Sequence, residues 1–220
     1  MNHVRKVQEI RERARQRITD GAVTDDYGLD REQAIAVLNE ALATEIVCVL
    51  RYRFHYYMAT GIHSQSAKEE FLEHAQEEQE HADWIAERIK QLGGKPEMNP
   101  AGLTDRSHSE YKEGTSLLDM LKEDLIAERI AIESYREMVR FFGDRDPTSR
   151  RLMERILAVE EEHADDIADL LFSQSEDEEP RKLYAKDEVP ETSRAGKPAR
   201  GSTPAPGVAD DGAARAAKPS

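Results

Sequence analysis

"VEEEHADDIADLL", residues 159–171, and "EEQEHADWIAERI", residues 77–89, carry one phrase, Glu-x-x-His-Ala-Asp, placed 82 positions apart. Each copy sits inside an apolar row at alternating spacings of three and four, the period of a single helix face. A glutamate and a histidine three residues apart share that face and can reach one common partner. Reading outward from the two copies gives the rest of the architecture.

Four long segments show this periodicity, each punctuated at both ends. The first opens at Asp30, where Asp-x-x-Gln resembles a capping box, and stops at Gly61. The second starts near Ser66, with Glu69 completing Ser-x-x-Glu, and runs to Leu92 before Gly93 and Gly94. The third spans about Ser116 to Phe142, ahead of Gly143. The fourth has Asp146 as its cap and Pro147 at its first helical position, and it fades after Phe172. Segments of this length are roughly 40 Å long, the scale of a four-helix bundle. Short links make the first pair and the last pair antiparallel hairpins. Residues 93–115, rich in Gly, Pro and Asn, are long enough to cross the bundle and leave helices two and three parallel. The predicted fold class is all-α, a four-helix bundle with a long crossover between helices two and three.

Each core row is interrupted near its middle by one glutamate. The rows read Ile35, Leu38, Leu42, Glu45, Val49, Tyr52; then Phe71, His74, Glu78, His81, Ile85; then Leu121, Leu125, Glu128, Ile132, Tyr135; then Met153, Ile156, Glu160, His163, Ile167. Glu78 and Glu160 carry the histidines. Glu45 and Glu128 are each followed seven residues later by a tyrosine, Tyr52 and Tyr135. The glutamates are 33 residues apart in the first hairpin and 32 in the second, so the chain reads as one hairpin written twice about a pseudo-two-fold axis.

Burying one unpaired carboxylate costs several kcal/mol, in a domain whose net stability is only about 5–15 kcal/mol. The rows place no arginine beside the four glutamates. Two divalent cations supply the missing charge, and two imidazoles complete a mixed oxygen and nitrogen set that suits iron or manganese better than magnesium or calcium. The expected metal ligands are therefore Glu45, Glu78, His81, Glu128, Glu160 and His163. His74, one turn before Glu78, is either an extra ligand or a hydrogen-bonded core histidine, and His55 has the same two readings. Asp83 and Asp165 follow the histidines but point to another face.

These residues resemble bacterioferritin over about residues 30–172. "LNEALATEIVCVLRYRFHYYMATG" is similar to that family's first helix, with Glu45 at its ligand position and Tyr52 at its tyrosine near the metals. "DLIAERIAIESY" carries Glu128, and the two repeated phrases carry the other four ligands. The resemblance implies a ferritin-like bundle with an intrasubunit di-iron site, bridged by Glu78 and Glu160 and capped by Glu45 and Glu128. It implies ferroxidase activity, oxidation of ferrous iron by dioxygen or peroxide, with Tyr52 a candidate donor of an electron or proton. Two departures bear on the carry-over. The family's haem-binding methionine directly follows the second-helix glutamate, and Gln79 stands there, which speaks against haem. The family's 24-subunit cages have a short fifth helix, whereas "SQSEDEEPRKLYAKDEVP" here is acidic and then broken by proline, so a dodecamer or dimer stays open beside the cage.

Composition sets the surroundings. Residues 30–179 hold 17 basic and 35 acidic side chains, whereas residues 180–220 hold 8 and 5. An acidic body attracts cations and repels nucleic acid. Residues 1–29 read as a charged N-terminal arm and 173–220 as a disordered tail, where most of the prolines lie. Cys48 is the sole cysteine, which excludes an intrachain disulfide and the four-cysteine iron module of a rubrerythrin-like peroxidase. The longest aliphatic run, residues 46–50, is far short of a membrane or signal segment, so a cytoplasmic protein is expected. A second apolar row on the first helix, Val47, Leu50, Phe54 and Met58, predicts a homo-oligomer, at least a dimer. The competing readings are a Dps-like protein that consumes peroxide and protects DNA, using the basic arm at residues 4–17, and a di-manganese catalase with the same ligand chemistry.

Overall fold

The computed structural model describes residues 7–61 and 64–174. Among the described residues every regular element is helical. They are α1 (Val7–Arg13), a single 3-10 turn (Ile18–Asp20), α2 (Arg31–Met58), α3 (Ser64–Gln91), α4 (Leu103–Arg106), α5 (Leu117–Phe142) and α6 (Pro147–Gln174). The four long helices are those read from the apolar rows. The tail from residue 175 onward lies outside the described residues.

Local chemistry sets the helix ends. Asp30 accepts a hydrogen bond from the Gln33 amide at 2.9 Å, and Ser116 accepts one from the Asp119 amide at 3.2 Å. Asp146 caps α6 through the Ser149 amide, also at 2.9 Å, ahead of Pro147. The second long helix begins at Ser64, two residues before the expected start, because the Ser64 hydroxyl bonds the Gly61 carbonyl at 2.8 Å. Gly143 ends α5 at φ +47°, a conformation that disfavours any side chain.

The two hairpins, α2 with α3 and α5 with α6, close into a bundle through α3–α6 and α2–α5 contacts. The crossover lies along α2. Asn39 bonds the Lys95 carbonyl and the Glu97 amide, and the His108 amide donates to Thr44. A Cβ on Gly94 would sit 2.8 Å from Ile35, so the chain can lie this close only with glycine there. Leu103 of α4 covers Ala43 and Val47. The second apolar row of α2 is therefore divided: Val47 is buried, Phe54 is half-buried beside Tyr111, and only Leu50 and Met58 face outward. By length and composition α2 could cross a membrane, but just over half of that stretch (56%) is buried, and Glu45, Arg51 and His55 are among its buried residues.

Two apolar clusters fill the bundle. One holds Leu38, Leu42, Ile85, Phe142, Met153 and Ile156; the other holds Phe71, Ala75, Leu121 and Ile167. Tyr27, ahead of α2, packs on the first cluster and donates a 2.8 Å hydrogen bond to Asp146.

Candidate metal centre

All six predicted ligands are buried, none more than 1% exposed, and they converge on one place. Two groups of four emerge: Glu45, Glu78, His81 and Glu160, and Glu78, Glu128, Glu160 and His163. Glu78 and Glu160 belong to both. Around the first position, His81 Nδ1 lies 3.2 Å from Glu45, 3.3 Å from Glu78 Oε2 and 3.1 Å from Glu160 Oε1. Around the second, His163 Nδ1 lies 3.7 Å from Glu78 Oε1, 3.7 Å from Glu160 Oε2 and 4.0 Å from Glu128. Each bridging carboxylate thus turns one oxygen to each imidazole.

These spacings and the unpaired atoms fit a pair of cations. Donors bonded to one ion at about 2.0–2.2 Å lie roughly 3.0–3.5 Å from each other. The His81 position has that spacing already, and the His163 position needs a closure of about half an ångström. Glu78 Oε1, Glu128 Oε2, both oxygens of Glu160 and His163 Nδ1 are buried without a hydrogen-bond partner. Each such atom costs about 1–3 kcal/mol. Together they cost about as much as a domain's whole net stability of roughly 5–15 kcal/mol. A site built only for structure would not keep them.

A family model for the ferritin-like domain matches residues 35–173. The chain belongs to the ferritin-like domain family. The nutrient stress-induced DNA-binding protein of Synechococcus is 32% identical over 143 residues, covering 63% of this chain and 80% of that protein. Bacterioferritin of Desulfovibrio desulfuricans is 28% identical over 134 residues, covering 60% and 71%. Among solved structures, the dodecameric thioferritin of Bacteroides fragilis, a bacterioferritin-related protein, superposes with a TM-score of 0.64 at 33% identity, covering 66% of this chain and 88% of that one. The family is one of iron-binding helical bundles whose members generally have ferroxidase activity, and its matches here include both bacterioferritin and Dps-type proteins.

In this ferritin-like chain the protonation of the cluster follows from burial and crowding. Burial, with Glu45 beside it, pushes the Glu78 carboxyl up to about 7. Burial and the charges of Glu160 and Glu78 push Glu128 well above the carboxylate range. Glu160 goes the other way: burial and Glu78 raise it, but the nearby imidazoles of His163 and His81 and the Glu128 carboxyl hold it low. Burial opposes a charged His163, yet Glu160 and Glu77 raise it to about 11. Protons thus collect wherever a cation is not neutralising the carboxylates.

The tyrosines are arranged differently from the spacing that singled them out. Tyr52 donates to Glu128, and Tyr135 donates to Glu45, so each phenol holds the capping glutamate of the other hairpin. Burial and those same carboxylates raise both phenols well above their ordinary value. The seven-residue spacing from Glu128, matching that of Tyr52 from Glu45, was the signal that singled out Tyr135.

The apolar rows hold no arginine beside the glutamates, yet one approaches them from off the row. Arg51 is fully buried, bonds Asp124 at 2.8 Å and lies 3.9 Å from Glu128. Asp124 consumes its charge, so the four glutamates remain undercompensated. Asp124 also bonds His55 Nδ1 at 2.8 Å, and the Lys112 carbonyl lies 3.1 Å from Nε2, which makes His55 a hydrogen-bonded core histidine. Glu77 takes the outer nitrogen of His163 at 2.7 Å, an anchor of the kind that orients metal-binding imidazoles. Sequence reasoning missed Arg51, Asp124 and Glu77, because none breaks an apolar row. Gln79 is exposed and bonds Asp83, itself exposed.

Proposed function

We propose that this chain is a bacterioferritin-like ferroxidase serving iron storage and detoxification, with ferrous iron as its substrate. The observation that carries the reading is the set of unpaired, buried carboxylate oxygens that two Glu-x-x-His helices and two capping glutamates bring together within a single subunit. Two ferrous ions each give up one electron, and dioxygen with two protons becomes hydrogen peroxide; when hydrogen peroxide is the oxidant, the same two electrons and two protons turn it into two waters. Glu45 and His81 hold one ion, Glu128 and His163 the other, and Glu78 and Glu160 span the pair. Manganese suits the same donors. Tyr52 and Tyr135 fix the capping carboxylates, and Tyr52 is the candidate donor of a proton or an electron. The flanking apolar clusters keep bulk water from the site.

The test is stopped-flow oxidation of ferrous iron by Glu78→Ala and His163→Ala proteins. A loss of at least about 100-fold is expected, and oxidation at the parent rate sinks the reading. Storage requires assembly into a homo-oligomer, for which the outward-facing Leu50 and Met58 offer a start; a cytoplasmic location belongs to the same proposal.

A Dps-like role is the second reading, favoured by relatives named for DNA binding and for DNA protection during starvation. Against it, arm cations Arg13 and Arg17 pair with Asp26 and Asp25 at 3.4 and 3.6 Å. Salt-sensitive retention of DNA that disappears on deleting residues 1–20 would favour this reading over storage.

A further inference from the structure

Among the described residues, one more cluster outside the buried centre has the donors of a metal site. Glu70 and His74, one turn apart on α3, meet Asp166 of α6. Each offers a ligand atom within 4.8 Å of the others'. His74 Nε2 lies 3.3 Å from Glu70 and 4.0 Å from Asp166. The first distance is already the edge of a tetrahedron with bonds of about 2.0–2.1 Å, and the second needs a small side-chain shift. The carboxylates can make that shift, since their side chains are 27% and 47% exposed.

His74 is what separates this cluster from an ordinary acidic surface. Its side chain is 2% exposed, leaves Nδ1 without a hydrogen-bond partner, and presents Nε2 to the two carboxylates. Its ring stacks on His163 with centroids 3.9 Å apart. Glu73, Glu162, Asp165 and Asp169 add negative field around it. The internal duplication supplies a built-in comparison. The equivalents of Glu70, His74 and Asp166 beside the other imidazole are Leu152, Ile156 and Trp84, which pack into the apolar core. The other half closes that flank with apolar side chains; this flank carries three groups able to ligate.

We propose that Glu70, His74 and Asp166 form a third divalent-cation site on the flank of the bundle beside the Glu128/His163 position. Three protein donors and an exposed side leave coordination positions open to water, the arrangement of a site that exchanges its ion. The binding claim stands apart from the ferroxidase reading; only the site's use in loading iron depends on it.

The test uses the full chain and zinc alone, which binds such donors without redox turnover. Anomalous difference maps at micromolar zinc should show a peak among Glu70, His74 and Asp166. Calorimetry should find three zinc ions per chain in the parent, two in the E70Q/D166N protein, and one in an E78Q/E160Q protein. The first pair of changes lies on the surface and leaves His74 in its stack, so folding is preserved. A parent map without the flank peak, a peak only at millimolar zinc, or an E70Q/D166N protein that binds as many ions as the parent overturns the proposal. Central peaks missing while the flank peak remains would instead remove the ferroxidase reading and leave this site standing.

Discussion

The two candidate metal positions are built from matching donor residues and opposite surroundings. In the register of the duplication, Ala41, Ser134, Met138, Ile156 and Val159 in the half that carries Glu45 and His81 correspond to Asp124, Arg51, His55, His74 and Glu77 around the Glu128 and His163 position. The first position is walled mainly by apolar groups, with Trp84 5.4 Å from His81 and Arg155 stacked 3.7 Å over that indole. The second is held by a buried ion pair and an anchored imidazole. Its donors also stand farther apart, 3.7–4.0 Å against 3.1–3.3 Å. Symmetry of the ligands satisfies the charge requirement of two cations. Asymmetry of the supports makes the two places inequivalent, so one ion would be held in a preformed cage and the other in a looser one.

The sharpest way to break that comparison is to remove Arg51. Arg51→Met leaves Asp124 and Glu128 buried without their counter-charge, and thermal unfolding should show a loss of about 3–5 kcal/mol. The equivalent change in the other half, Ser134→Ala, should stay within about 0.5 kcal/mol. Equal losses would mean that the polar network carries no special energy. Next in size is the order of filling. Zinc titration followed by anomalous scattering should show the His81 position occupied first, by roughly tenfold in affinity or about 1.4 kcal/mol. Glu45→Gln should empty that position selectively, and Glu128→Gln the other. The reverse order of filling would contradict the reading of the spacings.

The tyrosines should behave alike, which makes them the control within the comparison. Tyr52→Phe and Tyr135→Phe each remove one hydrogen bond to a capping carboxylate and should each cost about 1–2 kcal/mol in chemical denaturation. If Tyr52→Phe alone slows iron oxidation at equal stability, its phenol has a part in the chemistry that Tyr135 lacks. The smallest effect lies far from the centre and favours neither half. Burial raises the Asp146 carboxyl, but hydrogen bonds from Ser149 and Tyr27 and the Arg88 charge outweigh it and hold the group below its ordinary 3.8. Stability from that depressed value is present above pH 3.8 and is lost as pH falls through the folded-state value. Asp146→Asn should therefore flatten the acid limb of the stability curve and leave zinc binding unchanged.

The helices and the ligand set were legible because both depend on short-range periodicity. A glutamate in an apolar row is visible as a local exception, and two Glu-x-x-His pairs at matched spacing make the exception systematic. Asp30 and Asp146 were legible as caps for the same reason: the interaction spans three residues. The pairing of each tyrosine with the glutamate of the opposite hairpin was not legible, since periodicity says which face a residue occupies and nothing about its partner across the core. Val47 shows the same limit. It lies on the second apolar row, but Leu103 of the crossover, 56 positions later, covers it.

By itself the sequence determined four amphipathic helices, their duplication into two hairpins, and a buried acidic layer that calls for cations. Only the tertiary structure decided that Arg51 is spent on Asp124, that the phenols cross between hairpins, and that one flank of the centre is lined with ligating groups and the other with apolar ones. The physical reason is range. Helix formation and its hydrophobic period act within a few residues, whereas charge compensation in a core depends on whichever side chains the packed helices bring to within about 4 Å of one another.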